Sequence, residues 1–292
     1  MRDRTMNIQA RRCANQSKKT AVKILAYAFL ILLAVIILIP FWAIFAGTFQ
    51  EGTMLIRYGL NLKIDFSKAN FNNYIMLFTD SGNYFRWFLN SVVLTVLQVV
   101  LTLFISAFVA YGFSAYEFRF KNILFICVLL IMSVPFEMLM LPLYVQINDM
   151  HLSDNYAAIF LPFLAHASTI FFFRQYLTGM PKEIIEAGRI DGASEYGIFF
   201  KLVLPIMKPS FAAMAILNGM NCWNNFLWPL LVLRSSEKYT LPIGLNTLIT
   251  PYGNNYDLLI VGSFFSILPI LILFLCFQKY FIEGMTAGAV KG

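Results

Sequence analysis

Residues Ile24 to Ala46 read I-L-A-Y-A-F-L-I-L-L-A-V-I-I-L-I-P-F-W-A-I-F-A, without a formal charge. An α-helix needs about 20 consecutive apolar residues to cross the roughly 30 Å of bilayer hydrocarbon, and this run is long enough. It exceeds the apolar core of about 7–15 residues found in a signal peptide, and no small-x-small cleavage site closes it, so it reads as a retained span. Four further charge-free stretches follow, Trp87–Tyr116, Asn155–Phe173, Pro209–Leu233 and Leu258–Gln278, and a sixth, Asn122–Asn148, is broken only by Glu137. Across the 292 residues, 59% are hydrophobic and 13% charged, too few charges to clothe a soluble globule. The expected fold is therefore all-α: a polytopic membrane protein of six transmembrane helices, with a tail at 1–23, one transmembrane domain of six spans at 24–282 and a second tail at 283–292.

Orientation follows from the cations. If the spans alternate, 16 of the 22 Lys and Arg fall on one side: the basic tail, Arg119 and Lys121, the segment Arg174–Lys208, and Lys279 with Lys291. Acidic residues divide evenly, so the bias lies in the cations and both termini are expected on the cytoplasmic side of the membrane. Trp42, Trp87 and Trp228 fall near the outer ends of their spans, where an indole suits the headgroup level. The net charge of +7 sits largely in the basic tail, which suits attraction to inner-leaflet lipid. A nucleic-acid partner is not expected, because no folded basic domain presents those charges. Cys13, Cys127, Cys222 and Cys276 show no paired spacing, and His151 and His166 lie far apart in the topology, so neither a disulfide nor a metal site is expected.

Two outer segments carry apolar-faced runs, Asn70–Phe78 and Thr240–Leu245, that suit the outer interface or an external partner. The inner segment Arg174–Lys208 is more specific. It is too polar to cross the membrane and too apolar for a plain linker. Pro181 opens a helix that runs to Ile190, Gly192 turns the chain, and a second run, Ser194–Leu204, carries Tyr196, Ile198, Phe199, Leu202 and Val203 on an apolar face. Pro205 and Pro209 then punctuate the way into the next span. The shape is a cytoplasmic helix-turn-helix suited to docking.

From Glu186 to Pro209 the chain reads E-A-G-R-I-D-G-A-S-E-Y-G-I-F-F-K-L-V-L-P-I-M-K-P, which closely resembles the EAA loop of ABC importer permeases. Glu186, Ala187, Asp191, Gly192, Ala193, Phe199, Leu204, Pro205 and Pro209 match that family's pattern in order and spacing. The departure is Gly188, where the family usually has alanine and where glycine costs the helix up to about 1 kcal/mol. Trp223–Leu230 and the C-terminal Tyr280–Gly292 resemble the carbohydrate branch of the family, the type of the smaller maltose permease. The resemblance runs from about Phe85 to the end.

It implies a permease subunit of an ATP-driven, binding-protein-dependent importer for a sugar or oligosaccharide. It also implies a second homologous permease subunit, two ATP-binding subunits inside and an extracytoplasmic solute-binding protein outside. The ATPase-coupling residues would be Glu186, Ala187, Gly188, Asp191, Gly192, Ala193, Leu204 and Pro205, with Thr286, Gly288 and Lys291 of the C-terminal tail also meeting the ATPase. The chain would hold no cofactor. None of its 16 glycines is followed by lysine, so it has no phosphate-binding loop of its own, and ATP and Mg belong to the partner subunits.

Two sets of residues are candidates for the solute path. Glu137, between Pro135 and Pro142, is the one Asp, Glu, Lys or Arg deep in a stretch, which marks a functional candidate or a group lining a wet cavity. Asn221, Trp223, Asn224 and Asn225 combine an aromatic with amides, a set that either stacks on and hydrogen-bonds a sugar or packs helices. The same importer class with another solute (an amino acid, a peptide or a polyol) is the nearest alternative. A secondary transporter would show paired broken helices and intramembrane ions, and a membrane enzyme would show a cluster of His, Cys or carboxylates. The sequence supports these less.

Overall fold

The computed structural model describes residues 2–52, 59, 62, 69–79, 82–250 and 253–287, with backbone alone for 2–18, 250, 253–254 and 281–287. Three helices are long and apolar enough to cross a membrane unbroken, Lys19–Gly47, Tyr84–Ala115 and Tyr256–Tyr280, and three bent pairs raise the number of spans to as many as six. In chain order, α1 is Arg2–Gly47, α2 Asn72–Thr79, α3 Tyr84–Ala115, α4 Lys121–Met132, α5 Phe136–Asp149, α6 Ala157–Phe160 and α7 Ala167–Thr178. Then come α8 Glu183–Ile190, α9 Glu195–Ile206, α10 Lys208–Trp223, α11 Leu227–Val232, α12 Leu241–Thr247 and α13 Tyr256–Ala287. Besides helices the described residues hold only a two-residue antiparallel pairing, Ile249 opposite Asn254 and Thr250 opposite Gly253.

The chain forms two compact units. In the first, residues 1–76 with 255–264, the C-terminal end of α1 is capped by polar contacts. Asn73 donates its amide to the carbonyls of Thr48 (3.0 Å) and Gln50 (2.8 Å), and the Gly52 N–H donates to Asp257 Oδ1 at 2.6 Å. Phe45 packs against Phe264 at 5.5 Å. Along the span itself α1 exposes apolar side chains all round, as a lipid- or subunit-facing helix does.

In the second unit, residues 77–254 with 265–292, α3 is the central helix and packs on α7 and α10. Its buried face carries Ser91, Thr102, Ser106, Ala107 and Ala110. Small residues of this kind let membrane helices approach closely where no hydrophobic drive separates protein from lipid. Two of the buried polar groups find partners across helices: Thr102 donates to the Phe163 carbonyl at 3.0 Å, and the Asn218 amide donates to Thr169 Oγ1 at 3.2 Å.

Asn122–Asn148 is not one straight span. Helices α4 and α5 meet at 101°, because Pro135 cannot continue α4 and instead starts α5. Glu137 therefore lies in the first turn after the bend, exposed on the surface of this chain, and not within a continuous helix. Pro209–Leu233 is likewise broken: α10 ends at Trp223, residues 224–226 are non-helical, and α11 follows.

Two of the three tryptophans placed at the headgroup level are buried instead. Trp87 donates its indole N–H to the Ser236 carbonyl at 2.7 Å and Trp228 to the Ala158 carbonyl at 3.0 Å. Their polar edges are satisfied inside the protein. Trp42 is 49% exposed and donates its indole N–H to the Leu62 carbonyl at 2.9 Å. Trp87 also lies under α12, where a Cβ at Gly244 would stand 2.0 Å from the indole. The run Thr240–Leu245 thus packs on the bundle through Leu241 and Ile243, and α2 exposes Ile75 and Phe78.

On the same side Asp154, in the left-handed region at φ 57°, ties two loops together. It accepts from the N–H groups of Arg234 and Ser235 (3.0 and 3.1 Å), the Ser235 hydroxyl (2.5 Å) and Lys238 Nζ (3.0 Å). Burial works to raise its pKa, but these donors outweigh it and hold the carboxyl well below the usual carboxylate range.

Candidate coupling site

The segment between α7 and α10 is a helical hairpin. Helix α8 buries Ile185 and Gly188 and leaves Glu186, Ala187, Arg189 and Ile190 exposed. It ends in a Schellman turn: the Ala193 N–H reaches back to the Gly188 carbonyl (3.0 Å) and the Gly192 N–H to the Arg189 carbonyl (3.1 Å). Gly192 sits at φ +77°, the left-handed conformation that turn requires. Ser194 then caps α9, its hydroxyl accepting from the Gly197 N–H at 3.2 Å. Asp191, Gly192 and Ala193 are all exposed at the tip.

Helix α9 contains a π turn at Phe199–Val203. Pro205 lies just beyond it. With no N–H to offer, and a ring that crowds the preceding turn, proline favours such a widened ladder. The extra residue re-phases the helix, so Ile198, Phe199 and Val203 are buried while Tyr196 is 73% exposed. Tyr196 thus stands opposite the apolar face to which its spacing assigned it. At Met207 the chain turns by 77° into α10. Leu204 is half-buried and Pro205 exposed.

The hairpin is rooted in the spans. Ile185, Ile198, Phe199, Val203 and Met207 share one buried cluster with residues of α3 and α7. Phe199 stacks on Phe108 at 4.3 Å, and Tyr176 donates to the Ile206 carbonyl at 2.9 Å. The outer surface is the reverse: Ile190 at 86% and Tyr196 at 73% exposure flank the turn, beside Glu186. Apolar side chains so exposed at a polar turn suit a protein contact.

One cluster was not legible in the motif. Arg189 donates Nε–H to Glu195 Oε1 at 2.7 Å, Tyr111 donates its hydroxyl to Glu195 Oε2 at 3.0 Å, and the Arg189 guanidinium lies 5.4 Å from the Tyr116 ring centroid. Arg189, followed by the Tyr116 and Tyr111 hydrogen bonds, holds the Glu195 carboxyl down at about 2, so the pair stays charged at physiological pH. It clamps both hairpin arms to the end of α3. The available signal was an Arg and a Glu flanking a glycine turn, but the tyrosines are 84 and 79 positions away from Glu195 in the chain.

Gly188, the departure from the family pattern, faces α9: a Cβ there would come within 2.8 Å of Leu202 Cδ1 and 3.0 Å of Ile198 Cγ1. Glycine lets the two arms close at this point, which offsets its low helix propensity.

The solute-path candidates do not converge into one aromatic and amide cluster. Trp223 is 4% exposed, donates its N–H to the Ser266 carbonyl at 3.1 Å and packs edge-on against Phe88. It offers no free face for stacking. Asn221 and Asn224 are exposed and Asn225 half-buried, at the end of α10 and in the break before α11. The Thr286 side chain, Gly288 and Lys291 lie outside the described residues, and no metal-binding group of His, Cys, Asp and Glu occurs among the described ones.

Up to six apolar spans, with a hairpin rooted against two of the helices, define a multi-pass membrane protein. Residues 102–286 match the family model described as "Binding-protein-dependent transport system inner membrane component", and the chain belongs to that family. It is 50% identical over 264 residues to the arabinooligosaccharides transport system permease protein AraQ of Bacillus subtilis (strain 168), covering 90% of this chain and 94% of that one. It is 34% identical over 268 residues to the lactose transport system permease protein LacG of Rhizobium radiobacter, covering 92% and 96%. These matches extend into the first 84 residues, beyond the reach of the motif resemblance. Among solved structures, a bacterial ABC transporter involved in the import of the acidic polysaccharide alginate superposes with a TM-score of 0.76 at 24% identity, covering 88% of this chain and 95% of that one, which shows the shared fold. The chain is accordingly a transport component and not a catalytic one.

Proposed function

We propose that this chain forms half of the translocation path for a sugar or oligosaccharide and couples it to ATP hydrolysis by partner subunits. The carrying observation is the hairpin at 183–206, buried against α3 and α7 on one side and presenting Glu186, Ile190 and Tyr196 on the other. A partner that closes on the exposed face pushes on a cluster shared with the spans. Two ATP-binding subunits, a second permease and an external binding protein complete the importer, and ATP and Mg are used by the ATPases. The saccharides named for the relatives from B. subtilis and R. radiobacter support the solute class. The exposed Asn221 and Asn224, with Glu137 at its bend, are the groups on this chain that would meet the solute. The C-terminal Thr286, Gly288 and Lys291 would meet the ATPase.

In a reconstituted complex, binding protein loaded with an arabino-oligosaccharide or lactose should stimulate ATP hydrolysis. Stimulation by an amino acid, peptide or polyol alone would move the solute class, and no stimulation by any loaded binding protein would overturn the importer reading. Orientation rests on the cation asymmetry, which puts both termini and the hairpin in the cytoplasm. In a cysteine-free background a cysteine at Ser194 should resist an impermeant thiol reagent in intact cells, and one at Ser236 should react. Both positions are exposed on the chain, so the reverse pattern would invert the topology.

A further inference from the structure

Between the ends of α3 and α7, the start of α4 and the start of α8 lies a cleft of about 130 Å³. That is well above the roughly 10–15 Å³ that one water requires. Its polar lining consists of Ser114, Lys121, Arg174, Thr178 and Lys182: three cations, two hydroxyls and no carboxylate. Glu117, which accepts from Lys121 at 3.0 Å, lines the neighbouring cleft together with Glu186.

Two buried polar atoms here have no hydrogen-bond partner among the described residues, Ser114 Oγ and Arg174 Nε. Leaving such groups unmet is costly, and each asks for an explanation. The Arg174 guanidinium lies 3.6 Å over the Phe125 ring, which fixes its plane. Lys121, 13% exposed in its side chain, donates to the Tyr116 carbonyl and to Glu117 and keeps a third N–H. A group with several acceptor oxygens and negative charge would satisfy these donors together.

We propose that this cleft binds a phosphoryl group, supplied by the headgroup of an anionic phospholipid in the cytoplasmic leaflet. Arg174 directly follows the charge-free stretch Asn155–Phe173, which puts the cleft at headgroup level on the side where cations concentrate. From Lys121, helix α4 carries Ile123, Ile126 and Leu130 exposed along one stripe, an apolar surface on which the acyl chain of the same lipid lies. Lys182, which caps α8, and Ile185 within it form part of the wall, so an occupied cleft braces the coupling hairpin against the spans. Only the choice of leaflet rests on the orientation proposed above.

The test uses the full importer complex exchanged into phosphatidylcholine with or without phosphatidylglycerol, with retained lipid counted by native mass spectrometry. Wild type should retain phosphatidylglycerol, and Arg174→Gln combined with Lys182→Gln should lose it by roughly tenfold or more, the scale of a lost charge-assisted hydrogen bond. Lys201→Gln combined with Lys208→Gln, which removes the same two charges outside the cleft, should not. Ser114→Ala guards against misfolding: deleting an unpartnered buried hydroxyl should leave thermal stability in phosphatidylcholine unchanged or raised, yet lower phosphatidylglycerol retention. A parallel arm adds inorganic phosphate to the phosphatidylcholine sample. A rise in melting temperature that Ser114→Ala abolishes, without lipid retention, would support the phosphoryl site with free phosphate as its source. Equal lipid retention in all variants and no phosphate effect would overturn the proposal. Neither readout requires transport, so failure here is distinguishable from failure of the importer reading.

Discussion

Gly192→Val and Glu186→Lys should each abolish solute uptake while the chain still reaches the membrane, because insertion depends on the spans and not on the hairpin. The glycine is at φ +77° with no atom within 4 Å of where a Cβ would stand. A side chain there would clash with nothing, so backbone strain alone opposes it. A left-handed backbone costs an ordinary residue ~1–2 kcal/mol, more for a β-branched one, which works directly against the two hydrogen bonds of the Schellman turn and the Arg189–Glu195 pair that spans it. Asparagine tolerates that region, so Gly192→Asn should keep much of the uptake that valine removes. Glu186 lies exposed on the outward face of α8, where charge reversal repels whatever cation meets it on the ATPase. The readouts are transport, membrane abundance and co-purified ATPase. Full uptake with full solute-stimulated hydrolysis in Gly192→Val and Glu186→Lys would reduce the hairpin to a connector.

Gly244→Ala should destabilise the second unit by ~1–3 kcal/mol or more, the usual cost of forcing extra volume into a packed site. The added carbon would stand 2.0 Å from Trp87 Cε3 and 2.1 Å from Cδ2, both rigid ring atoms. The ring cannot swing aside cheaply, since its N–H is held on the Ser236 carbonyl at 2.7 Å. Trp87→Leu removes the obstacle. In that background the Gly244→Ala increment should fall sharply, a coupling that a double-mutant cycle measures from thermal unfolding in detergent. An undiminished increment in the Trp87→Leu background, or no cost in the wild-type background, would show that α12 does not close on this indole.

Much of the architecture was legible because bilayer physics writes itself into sequence: charge-free runs of span length, a cation bias and proline or glycine at the turns. Gly192, Ser194 and Pro205 carry local backbone chemistry, and each sits where such chemistry is used. What spacing alone could not show was rotation and depth. Trp87, Trp223 and Trp228 read as interfacial or ligand-facing because an indole suits either role. Only the positions of the Ser236, Ser266 and Ala158 carbonyls decide that all three are buried anchors.

The same limit applies at the bend and in the hairpin. The run from Asn122 to Asn148 has the length of a span, and Pro135 marked a weak point. Pro135 breaks the helix, and the 101° between its halves, which no spacing predicts, moves Glu137 from the inside of a helix to an exposed first turn. Tyr196 left the buried face because one π turn shifts helical phase, and no periodicity count registers one added residue. By itself, the sequence determined the membrane, the hairpin, its turn and the family, since each is encoded in neighbours along the chain. The tertiary structure alone decided that Gly188 is a close-packing point, that Glu195 clamps the hairpin to Tyr111, and that Ser114, Lys121, Arg174 and Lys182 share one cleft. Those contacts join residues far apart in the chain, and folding, not adjacency, brings them together.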